Sequence, residues 1–518
     1  MMIRASLCRT ASECLDSAVM AVLDAQEDSG GWAAPGMPRI FDNAVVTFAL
    51  SNTPAARNAC MRARSWLKHA HPQSHDKFSK SSEQWLQLLA LNPTSTPPPF
   101  PEFSHSDSFP YERRTHFLHG LAVSAGSANS DAMTLLEDSR KMLGVERGRS
   151  LKEWQRAMLL ATETIALSAL GQAIPNEAVQ AMRAEQKSNG SIADPMPIVT
   201  ALCFIALETV APDHSSTHRA LSALLRDQQA DGTWRFSAAF DVWDTAVMVR
   251  CLRAHPLFRR HALPGALCFL EATQQSDGGW GTISAHPTGL PTASDADTTG
   301  CVLLALNGAP HGQRVWPAAA GFARAWRTSD GLWATWKSAD DTPAYDPTAH
   351  MVAGVRVHDS NAVDTLPAVA WLGAEYERHG EWASTWYSFP SYAVREVAQA
   401  IGWQSPHSQR ALHRLVGTQQ ADGGWPTSKG ADCSSPAATG LALSALVNGA
   451  PRHPNLGIAI ERGIAYLVDT QNPDGTWTVK DPFMLGPRPY RNVQPMQSHA
   501  WAALGLCDAL LLNEGEGT

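Results

Sequence analysis

Asp295 and Asp297 stand two residues apart in Ser294-Asp295-Ala296-Asp297-Thr298-Thr299-Gly300, and the apolar run Cys301 to Leu306 follows directly. The pair has a plain structural use, since a carboxylate at a helix start caps free backbone N–H groups and complements the helix dipole. It also has a chemical use. A carboxyl group ionises near pH 4 in water, and burial keeps it neutral at working pH, where it is a strong proton donor shielded from solvent. A second carboxylate can then hold the geometry of the first, with the hydroxyls of Thr298 and Thr299 beside it.

The elements that must position this motif repeat along the chain. Gln26-x3-Gly30-Gly31-Trp32 recurs as Gln228-x3-Gly232-Thr233-Trp234, Gln274-x3-Gly278-Gly279-Trp280, Gln419-x3-Gly423-Gly424-Trp425 and Gln471-x3-Gly475-Thr476-Trp477. A sixth copy, Gln186-x3-Gly190-Ser191, has Ile192 in place of Trp. Ala- and Leu-rich helical patterns lie between them, including Thr200–Leu207, Thr245–Leu252, Thr299–Leu306 and Thr439–Val447. Where copies are adjacent they lie roughly 40–50 residues apart, room for two helices and two short loops. Each glycine follows a helix end, where it tolerates the left-handed conformation, and the Gln amide and indole can tie that turn to the next helix. Strand signals are scarce. Helical hairpins of this size stack as an open solenoid or close into a double-ringed α barrel. By themselves such repeats specify architecture and no chemistry.

The chain has 518 residues, enough for two sizeable cores. Apolar residues make up 44% and charged residues 17%, which fits large buried helix faces and excludes a disordered chain. A net charge of −8 argues against a sequence-independent nucleic-acid binder and against an anionic membrane surface. The 9 cysteines are scattered and never form Cys-x-x-Cys, which reads as reduced thiols in a cytosol, without a disulfide framework or zinc ribbon. No secretory signal pattern opens the chain, and no stretch reaches the ~20 apolar residues of a membrane span. With 18 tryptophans for 7 tyrosines, the protein uses aromatic faces more than phenolic hydroxyls. The proline-rich stretch 92–101 reads as a surface loop.

Asp-x-Asp-Thr-Thr behind a Gln/Trp repeat, in an all-helical chain, resembles the class II terpene cyclases. That family includes squalene-hopene cyclases and bacterial cyclases of linear isoprenoid diphosphates. Its usual motif is Asp-x-Asp-Asp, and a variant carries Thr in the last position, as here. The resemblance implies an all-α fold of two α/α barrels. The β domain, residues 1–19 plus 236–518, would carry the acid motif, and residues 20–235 would form an inserted γ domain, with the active site between them. It further implies that Asp297 protonates an alkene and that Asp295 holds it. The carbocations that follow need a dry, aromatic-lined cavity, each ring supplying ~0.5–2 kcal/mol of cation–π attraction. Trp243, Trp371, Trp386, Tyr387 and Tyr392 are the candidates; Trp280 belongs to a repeat and reads as structural. Asn189, in Lys187-Ser188-Asn189-Gly190-Ser191, and Asn361, in Val357-His358-Asp359-Ser360-Asn361, match further family segments. Asn361 and His358 are candidates to receive the final proton, as is water.

Relatives of this length act on linear isoprenoid diphosphates and leave the diphosphate in place, so the resemblance implies Mg²⁺ and basic residues. Glu112, in a Tyr-Glu pair resembling a family Phe-Glu, is the candidate metal ligand. Lys152, Arg488 and Arg491 are the candidates for phosphate oxygens, although Pro487 stands where a family segment has Lys. Geranylgeranyl diphosphate is the preferred substrate of this reading and farnesyl diphosphate the alternative, giving a bicyclic diphosphate. A homodimer, and a downstream class I synthase or phosphatase, are the partners the resemblance leaves room for. Class I chemistry is not expected, because Asp340-Asp341-Thr342-Pro343-Ala344-Tyr345-Asp346 has the wrong spacing for an Asp-Asp-x-x-Asp cluster. Three competing readings are a squalene-hopene-type cyclase, a non-catalytic helical-repeat scaffold and a prenyltransferase β subunit. The last would need an Asp-x-Cys zinc ligand pair that the sequence lacks.

Overall fold

A computed structural model of the chain describes residues 4–72, 77–92, 96–101, 109–146, 151–193, 196–236, 239–284, 291–337, 342–479 and 492–515, apart from the side chains of 5, 109–112, 145–146 and 512–515. Arg488, Arg491 and the Glu112 side chain therefore lie outside the described residues. Nearly all the regular structure described is α-helix, with one short antiparallel pair, Trp425–Pro426 against Ser434–Ser435.

Six helices form a closed inner ring: Asp241–Leu252, Ala296–Ala305, Tyr345–Asp359, Pro390–Ile401, Pro436–Gly449 and Pro495–Gly515. Each packs on the next, and the last returns to the first. Six more surround them: Leu263–Ala272, Pro310–Trp326, Leu366–His379, Pro406–Val416, Leu456–Thr470 and, from the other end of the chain, Ala5–Asp24. The inner helices are buried on nearly every side because neighbouring helices cover them. All of Ala296–Ala305 is buried, as is most of Pro436–Gly449. The outer helices carry one apolar stripe each; Pro406–Val416 buries Ala411, Leu412, Leu415 and Val416 and turns its basic residues outward.

A second core gathers residues 40–234, while the ring's core draws on 11–32 and 236–509. In the second core Ile40–Leu50 packs between Lys77–Leu91 and Pro197–Val210, and the layer continues through Glu153–Ala169 to Phe109–Ala125. Both halves are thus layered helices, as the repeats and the family resemblance lead one to expect.

The repeats are the hinges of these hairpins. The Gln274 amide donates to Gly278 O at 2.9 Å, closing its own turn, and to Val315 O at 3.1 Å, pinning the next outer helix. Gln26, Gln186, Gln228, Gln419 and Gln471 each bridge two carbonyls in the same way. The Trp280 indole donates to Leu270 O at 2.7 Å, ten residues back, and Trp32, Trp234, Trp425 and Trp477 repeat that bond at the same offset. Two further turns escape the sequence pattern because they lack the Gln. Trp333 donates to Ala323 O and Trp382 to Leu372 O, each two residues after a glycine with positive φ, Gly331 and Gly380. Indole and glycine are therefore enough to build the turn, and the Gln adds the tie to the neighbour.

Gly278, at φ 88°, shows what the turn demands, since an added Cβ would lie 2.2 Å from Ala318 O. Gly278→Ala is expected to cost at least about 2 kcal/mol, strain plus steric overlap. Gly308→Ala, at φ 70° with nothing within 4 Å, should cost only about 1 kcal/mol. Denaturant midpoints of the two variants test this, and equal losses would mean that the close approach at Gly278 is not what the turn needs.

Candidate active site

The acid motif opens an inner helix directly after a repeat turn, and the turn fixes it. Trp280 O accepts from Asp295 N at 3.0 Å, and Trp280 N donates to Thr299 Oγ1 at 3.0 Å. Thr299 thereby does what Thr245, Thr348 and Thr439 do at three other turns, accepting from the backbone N–H of Trp32, Trp333 and Trp425. Thr298 serves the motif itself. Its backbone N–H and hydroxyl donate to the two Asp295 oxygens at 2.7 and 2.9 Å, so Asp295 is the N-cap of Ala296–Ala305. Burial, with the Asp297 charge adding to it, pushes the Asp295 carboxyl up to about 8 despite these donors.

Asp297 is buried one step further along and turns to the neighbouring inner helix. Its Oδ1 meets His350 Nδ1 at 2.6 Å, and His350 Nε2 meets Glu396 Oε2 at 3.0 Å. Both ring nitrogens face carboxyl oxygens, a setting that suits the imidazolium, which has an N–H to donate on each side. Burial opposes that charge, but the two carboxylates, Asp297 foremost, outweigh it and push His350 up to about 9. Among the described residues no hydrogen bond reaches the other Asp297 oxygen, Oδ2. The arrangement suits a proton donor. A cation bound to one oxygen withdraws electron density from the carboxyl and stabilises the carboxylate left when the proton on the other oxygen departs.

The helices reach this geometry because glycine lies between them. A Cβ on Gly300 would fall 2.5 Å from the His350 carbonyl carbon, and one on Gly354 would fall 2.9 Å from Gly300 O. Asp346 joins from the first turn of the same helix as His350. Its Oδ2 accepts from Ser384 Oγ at 2.6 Å and Thr385 N at 2.9 Å, and its Oδ1 has no hydrogen-bond partner among the described residues. Burial, with Asp297 as the nearest like charge, pushes Asp346 up to about 6.

Four of the candidate aromatics gather here. The Trp243 ring lies 5.9 Å from His350 and the Tyr392 ring 6.2 Å, edge-on. Tyr387 packs on Tyr392 at 4.2 Å, and Trp386 is linked to Asp346 through the Ser384 turn. Trp501, Phe389 and Trp336 extend the wall: Trp501 lies 5.8 Å from Tyr392, Phe389 5.3 Å from Tyr387, and Trp336 5.4 Å from Trp386. A buried hydrogen-bond chain fixes one side of it. Trp243 Nε1 donates to Tyr387 Oη, Tyr387 Oη to Gln497 Oε1, and Gln497 Nε2 to Asp244 Oδ1, at 3.0, 2.6 and 2.7 Å. Lys152, from the 40–234 half, holds its Nζ 4.2 Å from the centre of the Trp336 ring.

Other candidates sit elsewhere. His358 Nε2 binds Leu303 O at 2.9 Å and its ring stacks on Trp316. Asn361 is exposed in the turn after its helix. Trp371 stacks near Tyr345 on an outer helix, and the Asn189 side chain accepts from Ser191 within a repeat turn. The structure brings none of these four against Asp297. A 650 Å³ surface pocket lined by Tyr376, Arg410, His413, Arg414 and Arg452 also lies apart from the acid motif.

Sequence reasoning missed His350, Asp346, Glu396, Asp244 and Gln497. One signal was available. Trp243, Asp297 and Asp346 each stand two residues before the threonine that binds a repeat turn, Thr245, Thr299 and Thr348, so three successive inner helices present them at one register.

Residues 332–487 match the Squalene-hopene cyclase C-terminal domain. The chain is 29% identical over 329 residues to a drimenyl diphosphate synthase of Streptomyces showdoensis, covering 60% of each protein. It is 28% identical over 335 residues to another from Streptantibioticus cattleyicolor, again covering 60% of each. The match thus spans about three fifths of those relatives' length. An ent-copalyl diphosphate synthase structure from Streptomyces platensis superposes with a TM-score of 0.56 at 18% identity, covering 98% of this chain and 100% of that one, which shows a shared fold.

His350 ties its charge to the folded state. Its folded value stands above the ordinary 6.5, so its contribution to stability is full below about 6.5 and is lost as pH rises through about 9. Denaturant unfolding from pH 6 to 10 should show that loss. His350→Leu, expected to cost about 3–5 kcal/mol by leaving Glu396 and Asp297 without their shared partner, should lack the slope. A slope unchanged in the variant would remove His350 from the account.

Proposed function

We propose that this chain, a relative of the bacterial class II terpene cyclases, protonates the terminal alkene of a linear isoprenoid diphosphate with Asp297 and releases a bicyclic diphosphate. The observation that carries this reading is the Asp297 carboxyl, bound on one oxygen by His350 and bearing no hydrogen bond on the other among the described residues. The proton passes from Asp297 Oδ2 to the terminal alkene carbon, whose π electrons form the new C–H bond. The neighbouring double bond then attacks the tertiary cation and closes the first ring, and the next double bond closes the second. The last cation gives up a proton to water, leaving a C=C bond in the bicyclic product. Asp297 is left as a carboxylate against the His350 imidazolium, an ion pair that a dry interior favours. Asp295 does not face the substrate in this scheme; with both oxygens engaged by Thr298, it shapes the helix start that presents Asp297.

The rings of Trp243, Tyr387, Tyr392 and Trp386 offer π faces to the cationic carbons, at ~0.5–2 kcal/mol each. Lys152 supports a diphosphate end near Trp336 and Trp386, because its ammonium is anchored on the first ring and the second leads to Asp346. Retention of the diphosphate follows from protonation chemistry, which leaves the C–O bond untouched. The likeness to two drimenyl diphosphate synthases favours farnesyl diphosphate over the geranylgeranyl diphosphate that the family resemblance prefers. No set of three His, Cys, Asp or Glu side chains able to hold a metal converges among the described residues. Mg²⁺ with Glu112 accordingly stays an inference from the resemblance, and no step above passes through it. The two-barrel division at residues 20 and 235, with substrate between the halves, belongs to the same reading, and Lys152 on Trp336 is the contact that supports it.

The test is incubation with farnesyl and with geranylgeranyl diphosphate, each with and without Mg²⁺, followed by dephosphorylation and chromatography. Wild type should yield a bicyclic alcohol from farnesyl diphosphate, and Asp297→Asn should lose at least about a thousandfold in rate. A cyclic product from squalene alone would replace the diphosphate reading with a triterpene one. Undiminished cyclisation by Asp297→Asn would end the assignment of the acid.

A further inference from the structure

His350 is charged only because of what stands behind it. Glu396 lies on Pro390–Ile401, one inner helix beyond His350, and its Oε2 takes two donors, His350 Nε2 at 3.0 Å and Arg250 Nη2 at 2.6 Å. Its Oε1 accepts from Arg395 Nη1 at 2.6 Å. Arg250 reaches in from Asp241–Leu252 and Arg395 from the residue beside Glu396, and all three side chains are at most 7% exposed. Arg395 is braced in turn by Ser444 Oγ at 3.0 Å, whose hydroxyl donates to Asp508 Oδ2 at 2.6 Å. Burial alone would raise the Glu396 carboxyl; Arg250, Arg395 and His350 together hold it well below the ordinary carboxylate range.

The charges around His350 are therefore countable helix by helix. Asp297 faces it from Ala296–Ala305 and Glu396 from Pro390–Ile401, and Asp346 shares its own helix. Arg250 and Arg395 stand behind Glu396, and Asp508 behind Arg395 through Ser444. Cys301 donates nothing to the ring and binds Arg250. With two arginines on it, Glu396 cannot give up its charge, so it stays a permanent anion on the far nitrogen of the imidazole. An arginine does not relay protons, because it is never deprotonated in a protein. The chain beyond His350 is thus a fixed electrostatic support and no proton wire.

We propose that Glu396, clamped by Arg250 and Arg395, is the positioning residue that keeps His350 charged and so sets the pH range over which Asp297 can donate its proton. The inference rests on the reading of Asp297 as the acid. Without the Glu396 charge, burial alone acts on His350 from that side and favours the neutral ring. A neutral ring with its proton on Nε2 presents a lone pair to Asp297, and the support for the departing proton disappears.

The experiment compares full-length wild type with Glu396→Gln, which keeps the size and a hydrogen-bonding oxygen. Two readouts are followed from pH 5.5 to 10: cyclisation rate with farnesyl diphosphate, and the imidazole signal of His350 by NMR, assigned by its absence in His350→Gln. Wild type should lose activity on the alkaline side, as His350 deprotonates. Glu396→Gln should move both midpoints down together by at least one pH unit, with a tenfold or greater rate loss at pH 8 and recovery toward wild type at pH 6. Should Glu396→Gln fail to fold by circular dichroism, Arg395→Gln, which leaves Arg250 on Glu396, should give a smaller shift in the same direction. An unchanged pH limb and an unchanged His350 titration in the folded variant would overturn the proposal. An equal rate loss at every pH would assign Glu396 to packing alone and overturn it too. If wild type forms no cyclic product from any substrate, the acid reading fails separately, and the His350 titration still decides whether Glu396 holds the charge.

Discussion

Two inner helices pass so closely that only glycine fits between them, and the site depends on that approach. Gly300 sits against the His350 backbone and Gly354 against Gly300. The contact is what brings a carboxyl from one helix within 2.6 Å of an imidazole from the next. At that distance in a dry interior each group fixes the other's orientation, whereas one more methyl group would push the helices apart and break the contact. Close packing and electrostatic coupling go together here, because the interaction between His350 and Asp297 falls steeply with separation and with any water admitted between them.

The repeats make that approach reproducible. A turn with Trp spends an indole N–H on the helix before it, and one with Gln spends an amide on the helix beyond. Ala5–Asp24, Leu263–Ala272, Pro310–Trp326 and Leu456–Thr470 are therefore tied at both ends. Leu366–His379 and Pro406–Val416, which follow the turns without Gln, keep the indole tie alone. Threonine then carries the tie inward: Thr245, Thr299, Thr348 and Thr439 each start an inner helix from a repeat turn. The chemistry is grafted onto this frame by changing what stands two residues earlier. Trp243, Asp297 and Asp346 occupy that place in successive helices, as an aromatic face, an acid and a second buried carboxyl. A single frame thus presents unlike groups at one level without any one of them needing its own scaffold.

Burial of so many polar groups is costly, and the structure spreads that cost unevenly. Asp295 is satisfied by its own helix start, Glu396 by two arginines, and Asp244 on one oxygen by Gln497. Among the described residues, Asp346 Oδ1, Asp244 Oδ2, Tyr392 Oη and the indole nitrogens of Trp386 and Trp501 have no hydrogen-bond partner. These atoms belong to the aromatic wall or stand beside it. Fully paired charges lie behind the wall and unpaired dipoles lie on it.

Much of this could be read from the chain alone, because the evidence was local. Gln, Gly and Trp at constant offsets show the hairpin turns, since the bonds they make span ten residues or fewer along the chain or reach the adjoining helix. Asp295-x-Asp297 at the head of an apolar run shows a capped, buried helix start for the same reason. The turns at Trp333 and Trp382 stayed hidden, as the Gln that would mark them is replaced by Arg327 and Tyr376. What surrounds Asp297 was not legible. His350 is 53 residues away, Glu396 is 46 further and Arg250 is 146 before Glu396. His358 and Asn361, near His350 in the chain, belong to a different face and to a turn, because a helix rotates successive residues away from one another. Chain order determined which turns repeat and where a carboxyl pair begins a helix. Only closure of the ring decided which imidazole meets the acid and which arginines stand behind it, since those distances are set by packing between helices that the sequence places far apart.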